Sequence, residues 1–435
     1  EHVLLDGRPG RAWALDAAAR LRAMPNVIVL ERTAVTGVYD HNVTTLLQTA
    51  QRPAPSGDGW RESLWTVRPR HILLAGGAIE QGLIFPNNDR PGIMLASAVR
   101  HYLNVHAVCP GRKIVIATNN DSAYQTLFDL ARHRVPVSTV VDLRDAVSDE
   151  LRERTLAAGA ELLTGARIAD TQGFTGLRSI RIAGHSGADR GRRSCDLLAV
   201  SGGWSPRVHL LAHARGSLRF DAATQCFLPD RLPPGWSVAG CANGTWGLRA
   251  AFDEAAAAAR DICRELGRPV VAEELPRIAQ TVIEPGNTGS APAPAAAALA
   301  GGRRQWIDLA HNVTLADAEL AVREGFVSVE HFKRYTTTGM SIDQGKTGNL
   351  NAFIVLGALT GRGTGDVGTT TFRPPYVPVT LGAFAGRRTG EFYALRRLLP
   401  AHAVHERLQR RFEDYGWQRP DCYPRPGESP QDAVR

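Results

Sequence analysis

Apolar and polar positions along the chain follow a β–α rhythm for its first two-thirds and a helical one after that. Residues 11–24 (RAWALDAAARLRAM) set apolar side chains at helical spacing, and Pro25-Asn26 ends the run. NVIVLERTAV then has the β-branched density of a strand, and 43–50 with 60–67 predict a hairpin across PAPSGDG. RHILLAGGA reads as a buried strand over 72–75 closing on the tight turn Gly76-Gly77. Residues 111–142 predict a βαβ half-unit: strand KIVIAT, a helix over 122–133, and strand VSTVVDL with Asp142 near its end. A helix over 150–158 follows, then strands in AELLTGARIADTQG and LRSIRIAG. CDLLAVSGG repeats the motif of an apolar strand closed by a glycine pair, here Gly202-Gly203. Further on, 236–239 is a strand, 240–247 a glycine-rich turn and 248–262 an alanine-rich helix. Beyond residue 302 the period is helical, with Thr314 as N-cap of a helix over 315–323, Asp317 at its third position, and a second helix through NLNAFIVLGALTG.

This order predicts an α/β chain with two dinucleotide-binding-type domains, the first incomplete, followed by a small, mostly helical module. The first domain is expected over 1–108 and 198–283, with a second Rossmann-like domain inserted at 109–197. A Pro/Ala/Gly-rich linker occupies 284–302, the module 303–378, and a tail 379–435. EHVLLDGRPG has no signal-peptide pattern, and no G-x-G-x-x-G precedes residue 35. The expectation is a chain cut from a longer one, with a dinucleotide half-site that holds its ligand weakly.

The densest candidate chemistry lies in EHFKRYTTTGMSIDQGKTGN, residues 330–349. Gly339 and Gly345 let backbone approach a ligand, Thr336, Thr337, Thr338 and Thr347 bring hydroxyls, and Lys333, Arg334 and Lys346 bring charge. This is a kit for a phosphate, or else a polar surface loop. Five residues separate Gly339 from Gly345, and HFKRY is a poor buried strand, so it is not a P-loop. In the 240–247 turn the following helix aims its free N–H groups at an anion, while plain helix-start packing is the alternative role for Trp246 and Leu248. Ala75, Gly76 and Gly77 suit a strand passing beside a cofactor. TNNDSA in the inserted unit lacks the glycines a pyrophosphate needs, and Asp142 is either a ribose acid or a strand-end residue. Asp308 and His311 are read as capping rather than as a metal or acid–base pair.

Composition narrows the classes. Charged residues make up 22% and apolar ones 43%, as in ordinary globular chains, and no apolar run is long enough to cross a membrane. The net charge of +8 comes from scattered arginines, which argues for an acidic protein partner and against nucleic acid. Six dispersed cysteines without C-x-x-C argue against zinc or an iron–sulfur cluster and fit a reducing cytoplasm. No Ser-His-Asp arrangement, metal-ligand spacing or paired carboxylate marks a catalytic residue.

KRYTTTGMSIDQGKTGN, HNVTLADAELAVREGFVSVEH and VGTTTFRPPY together resemble the α-subunit family of heterotetrameric sarcosine oxidases, and the likeness runs from end to end of the chain. The resemblance implies a glutathione-reductase-like flavoprotein fold and a module similar to the [2Fe–2S]-binding domain of relatives, here without cysteines. It also implies a tail leading to a folate-binding domain. It implies NAD in the first domain, near Val35 and Ala75–Gly77 and lined by Cys241, Gly244, Trp246 and Leu248, and an FMN at the interface with a β subunit. Lys346 and Thr347, with Thr337, Thr338 and Gly345, would face that interface, as would Arg373 and Tyr376. FAD and the substrate site would lie on the β subunit, with γ and δ subunits completing the assembly. The implied reaction is oxidative demethylation of sarcosine to glycine, with peroxide and formaldehyde or methylenetetrahydrofolate as co-products. Rival implications are a related amine or amino-acid dehydrogenase subunit (octopine, proline or glycine oxidising) and a non-catalytic scaffold.

Overall fold

The most apolar segments of the chain gather into one parallel sheet. Its strand order is Glu161–Leu163, Val137–Asp142, Ile114–Thr118, Leu197–Ser201, Ile93–Leu95, every neighbour parallel. The computed structural model describes residues 3–50, 61–270, 274–280, 304–386, 397–414 and 416–433; the expected linker at 284–302 lies outside them. Ile114–Thr118 and Leu197–Ser201 are buried at every position, as strands covered on both faces must be. One face packs on helices Ala96–His106, Tyr124–Arg132 and Asp149–Ala157 through Val99, Leu103, Tyr124, Leu127 and Leu151. The other carries the antiparallel meander Ala166–Gln172, Ser179–Gly184, Asp189–Ser194, whose Ile168, Ile180 and Ile182 meet Val115, Val141 and Leu198. The sheet therefore draws in a strand before residue 109 and one running past 197.

Two glycine-hinged strands leave this unit side by side. Ile72–Leu74 runs parallel to Trp236–Val238, and Ala78–Glu80, beyond Gly76-Gly77, pairs antiparallel with Trp204–Pro206, beyond Gly202-Gly203. Gly202 is required by close approach: a Cβ there would stand 2.5 Å from the Gly82 carbonyl oxygen.

The expected strand NVIVLERTAV is corrected. Only Thr33–Val38 is strand, while Ile28 stands 82% exposed and Arg32 adopts φ 48°. A left-handed residue breaks the extended run, and the apolar side chains before it find no neighbouring strand. Thr33–Val38 pairs with Thr44–Thr49, and the next strand of that sheet carries Trp65, whose indole N–H donates to Gln48 Oε1 at 3.0 Å.

Beyond residue 303, Thr314 and Asp317 form the expected capping box at helix Leu315–Arg323. Helix Asn349–Thr360 is buried almost all round, its Leu350, Phe353, Val355 and Leu356 packing on Ala318, Ala321 and Phe332. Residues Glu1–Gln51 with Trp65–Pro378 form one compact unit. A second, Arg52–Leu64 with Val379–Arg435, contains short helices Leu381–Ala385 and His402–Arg407 and the hairpin Phe412–Asp414/Gln418–Pro420.

Candidate functional site

The two glycine turns singled out in the sequence sit at the ends of adjacent parallel strands. Ala75–Gly77 follows Ile72–Leu74, the 240–247 turn follows Trp236–Val238, and Ala239 N donates to Leu74 O at 3.0 Å. Gly77 (φ 72°) and Gly240 (φ 69°) take left-handed conformations with open space where a Cβ would stand, a backbone cradle of the kind a dinucleotide needs. Val35 packs into the cluster beneath, against Leu74, Trp236, Val238 and Ala242. Glu254, on helix Leu248–Glu265, reaches back to accept from Gly240 N and Asn243 Nδ2, both at 2.6 Å, and so fixes the turn. Gly244 packs on Leu228, while the buried Trp246 Nε1 has no hydrogen-bond partner among the described residues. Burial, then the nearby Glu254, pushes the half-buried Cys241 thiol up, which suits a space-filling residue better than a redox one.

The inserted unit offers no comparable cradle. Asn120 fills its first turn, accepting from Ser122 N at 3.1 Å and donating to Asn119 Oδ1 and Ser201 Oγ at 3.0 Å; Trp204 Nε1 closes over Ser122 Oγ at 2.8 Å. Asp142 is fully buried and taken by the Tyr124 hydroxyl (2.7 Å) and by Arg144 Nε and Nη2 (3.0 and 2.8 Å). No oxygen of it is presented to a ribose.

The threonine- and glycine-rich loop joins two helices rather than a strand and a helix. HFKRY belongs to helix Val329–Thr336, capped by Ser328, and Thr337 ends it in a left-handed conformation. Thr336 and Thr338 are buried with their hydroxyls 2.7 Å apart, and Gly339 N donates to Asp308 Oδ2 at 2.8 Å. Asp308 also accepts from Ala310 N at 2.9 Å, so its carboxylate is a backbone tie rather than a metal ligand or acid. Gly339 and Gly345, at φ 69° and 71°, both pack on Asn349; a Cβ on either would lie 2.1 Å from its Oδ1.

Three of the groups singled out for a phosphate, on Gly345, Lys346 and Thr347, make hydrogen bonds within the chain. Asp343 accepts from Gly345 N (3.1 Å), Thr347 N (3.3 Å) and Thr347 Oγ1 (2.7 Å), so a carboxylate already fills that nest. Lys346 Nζ donates to Asp343 O (2.9 Å) and Tyr376 O (2.6 Å) and lies 4.1 Å from the Tyr376 ring centroid. Its ammonium is half-buried, and burial holds its pKa below the usual lysine range. Thr337, Met340, Ile342 and Thr347 remain exposed around it, so the loop keeps an open, partly apolar rim.

Residues that sequence reasoning missed link this loop to the glycine turns. Gln81 Nε2 donates to Lys346 O at 3.1 Å, and Arg207, whose N donates to Gly77 O at 3.0 Å, lies over Gly76. Tyr376 N in turn donates to Thr36 O, beside Val35. His209 is buried beneath Phe372 (centroids 4.1 Å apart) and Tyr376 (5.5 Å). Burial and then Lys346 lower its pKa to about 3, and burial lowers that of His213 to about 4. No motif announced these two histidines; only their i, i+4 spacing on an apolar stretch hinted at a shared face. Among the described residues no cluster of His, Cys, Asp or Glu could hold a metal ion, and no helix is long and apolar enough to cross a membrane.

The sarcosine oxidase A3 domain family model matches residues 302–387, which contain the loop. Sarcosine oxidase subunit alpha of Rhizobium meliloti (strain 1021) is 38% identical over 427 residues, 98% of this chain and 42% of that one. That of Corynebacterium sp. (strain P-1) is 37% identical over 446 residues, 99% of this chain and 45% of its own length. The chain thus spans less than half the length of either of these two relatives. The solved L-proline dehydrogenase from P. horikoshii shares the fold, with a TM-score of 0.58 at 19% identity over 87% of this chain and 69% of that one.

Proposed function

We propose that this chain, a relative of sarcosine oxidase alpha subunits along nearly its whole length, forms the corresponding part of such a subunit in a multi-subunit amine oxidase. The observation that carries the reading is identity of 37–38% spread over 98–99% of the chain, rather than confined to a dinucleotide fold. In this reading the complex demethylates sarcosine oxidatively to glycine, with oxygen reduced to peroxide and the carbon leaving as formaldehyde or methylenetetrahydrofolate. A flavin, when bound, would accept the two electrons removed as the N-methyl C–H is oxidised, and water would then release the carbon from nitrogen by hydrolysis. This chain contributes binding and positioning, and no catalytic acid or base.

Two faces do that work. Gly77, Gly240 and the turn from Cys241 to Leu248, with Val35 and Ala75–Gly76 beneath, make a half-site for NAD. Thr337, Thr338 and Gly345–Thr347 form a wall against a β subunit and the FMN between the subunits, with Met340 and Ile342 as its apolar rim. Lys346 serves by fixing the loop to Tyr376 rather than by touching a phosphate. FAD and the substrate pocket belong to the β subunit, with γ and δ subunits in the same assembly. Co-expression with a tagged β subunit tests the reading: the chain should co-purify and the complex should show flavin absorbance. Loss of co-purification on Ile342→Asp is expected. Tight flavin held by this chain alone, or no association with the β subunit, would refute it.

A further inference from the structure

A cavity of about 270 Å³ lies between the C-terminal ends of strands Ile93–Leu95 and Leu197–Ser201 on one side and strand Trp306–Asp308 and helix Asn349–Thr360 on the other. Leu83, Met94, Leu95, Val200, Trp306 and Ile307 give it apolar walls. Its amides are engaged: Asn88 accepts from Trp306 N at 2.8 Å and donates to Leu83 O at 3.1 Å, and Asn351 Nδ2 donates to Gly82 O at 3.1 Å. Among the described residues Glu80 is the one charged member of the lining, is only 3% exposed and makes no ion pair. Carboxyls buried this deeply are ordinarily paired, yet Arg100, the cation that acts on Glu80, is held by Asp129 at 2.8 Å. The start of helix Ala96–His106 takes one oxygen, Oε2 accepting from Ser97 N at 2.8 Å. Burial nonetheless holds the Glu80 carboxyl above the usual carboxylate range, against the hydrogen bonds from Ser97 and Ser201 and the pull of Arg100. A cation in the cavity would lift that penalty.

We infer that this cavity binds a small organic ammonium ion, its charge against Glu80 and its hydrocarbon part against Met94, Val200 and Trp306. The buried carboxyl then gains the partner that the chain itself withholds, in a charge-assisted hydrogen bond. No cationic side chain among the described residues lines the cavity, so a carboxylate on the ligand would lose its water without compensation. The site therefore takes simple amines and rejects amino acids. It shares only Thr347, whose hydroxyl is tied to Asp343, with the subunit-facing wall proposed above. The inference stands on the cavity alone and survives if the subunit assignment fails, since its test needs no second chain.

Calorimetric titration of the full chain with three probes that share one ring tests it: benzylamine, benzyl alcohol, which lacks the charge, and phenylglycine, which adds a carboxylate. Benzylamine should bind more tightly than either of the others by about tenfold or more, the equivalent of one charge-assisted hydrogen bond. Glu80→Gln keeps the volume and an acceptor for Ser97 N while removing the charge, and should bring benzylamine down to the benzyl alcohol level. Leu309, at the cavity's rim and 57% exposed, supplies a second variant if that one does not fold. Leu309→Lys sets a like charge at the mouth and should weaken benzylamine by about tenfold. Equal affinity for the amine and the alcohol, phenylglycine bound as tightly as benzylamine, or benzylamine affinity unchanged in a folded variant overturns the inference. So does a failure of benzylamine to bind at all.

Discussion

Gly345→Ala offers the sharpest test of how the loop is built. Two costs combine. A Cβ at φ 71° occupies the left-handed region, for about 1–2 kcal/mol. That Cβ would also stand 2.1 Å from Asn349 Oδ1 and 2.3 Å from its Cγ, and Asn349 is only 6% exposed, so it has little room to yield. Forcing volume into such a site costs about 1–3 kcal/mol more, for a total of roughly 2–5 kcal/mol. The Asn349 amide has no hydrogen-bond partner among the described residues, so Asn349→Ala alone should change stability by less than about 1 kcal/mol. In that background Gly345→Ala should keep only the backbone cost. Native-state amide exchange at Val355 and Leu356, fully buried in helix Asn349–Thr360, reads the local opening free energy. Exchange there should quicken by about two orders of magnitude in Gly345→Ala and by about one in the double variant, at roughly 1.4 kcal/mol per tenfold. An equal cost in both backgrounds would refute the steric reasoning.

Asp142→Asn removes the charge of a buried ion pair and one of the two acceptor oxygens shared by Arg144 and Tyr124, leaving Arg144 only its pair with Asp121, and should cost about 3–5 kcal/mol, measured by urea unfolding. His209, lowered to about 3 by burial and Lys346 (with His213 and Arg207 also opposing its charge and Asp343 favouring it), makes stability fall in acid. Above its ordinary value of 6.5 both states are neutral; as the pH drops below that, the unfolded chain takes up a proton that the folded one refuses, costing about 1.4 kcal/mol per pH unit. His209→Phe should therefore flatten the difference between unfolding midpoints at pH 7 and pH 5, and an unchanged difference would count against a buried neutral imidazole. Mass-spectrometric mapping of iodoacetamide labelling should find Cys241 slow at neutral pH and faster as the pH rises, with Cys195, pushed up to about 12, slower still. Rapid neutral-pH labelling of Cys241 would reinstate it as a reactive thiol.

Much of the fold was legible because burial on both faces leaves an unambiguous signature. KIVIAT and CDLLAV are continuous apolar runs, and both are central strands. The capping box at Thr314 and the glycine pairs 76–77 and 202–203 were equally readable, since each answers a local backbone requirement. NVIVLERTAV misled because β-branched density says nothing about whether a neighbouring strand exists to pair with it. The loop's chemistry was half legible. Composition identified an anion nest but not that Asp343, two residues before Gly345, supplies the anion. Gln81, Arg207 and His209 escaped notice because they reach the loop from more than a hundred residues away, and no local pattern encodes such a meeting.

The carboxylate that Asp343 tucks into its own turn has a bearing on assembly. A surface whose shape depends on an incoming guest must be ordered at the moment of encounter, and association then loses part of its strength to that ordering. Here the contour is set beforehand by a resident charge, so whatever docks against Met340 and Ile342 meets a finished mould. Recognition at this face should be fast and governed by fit.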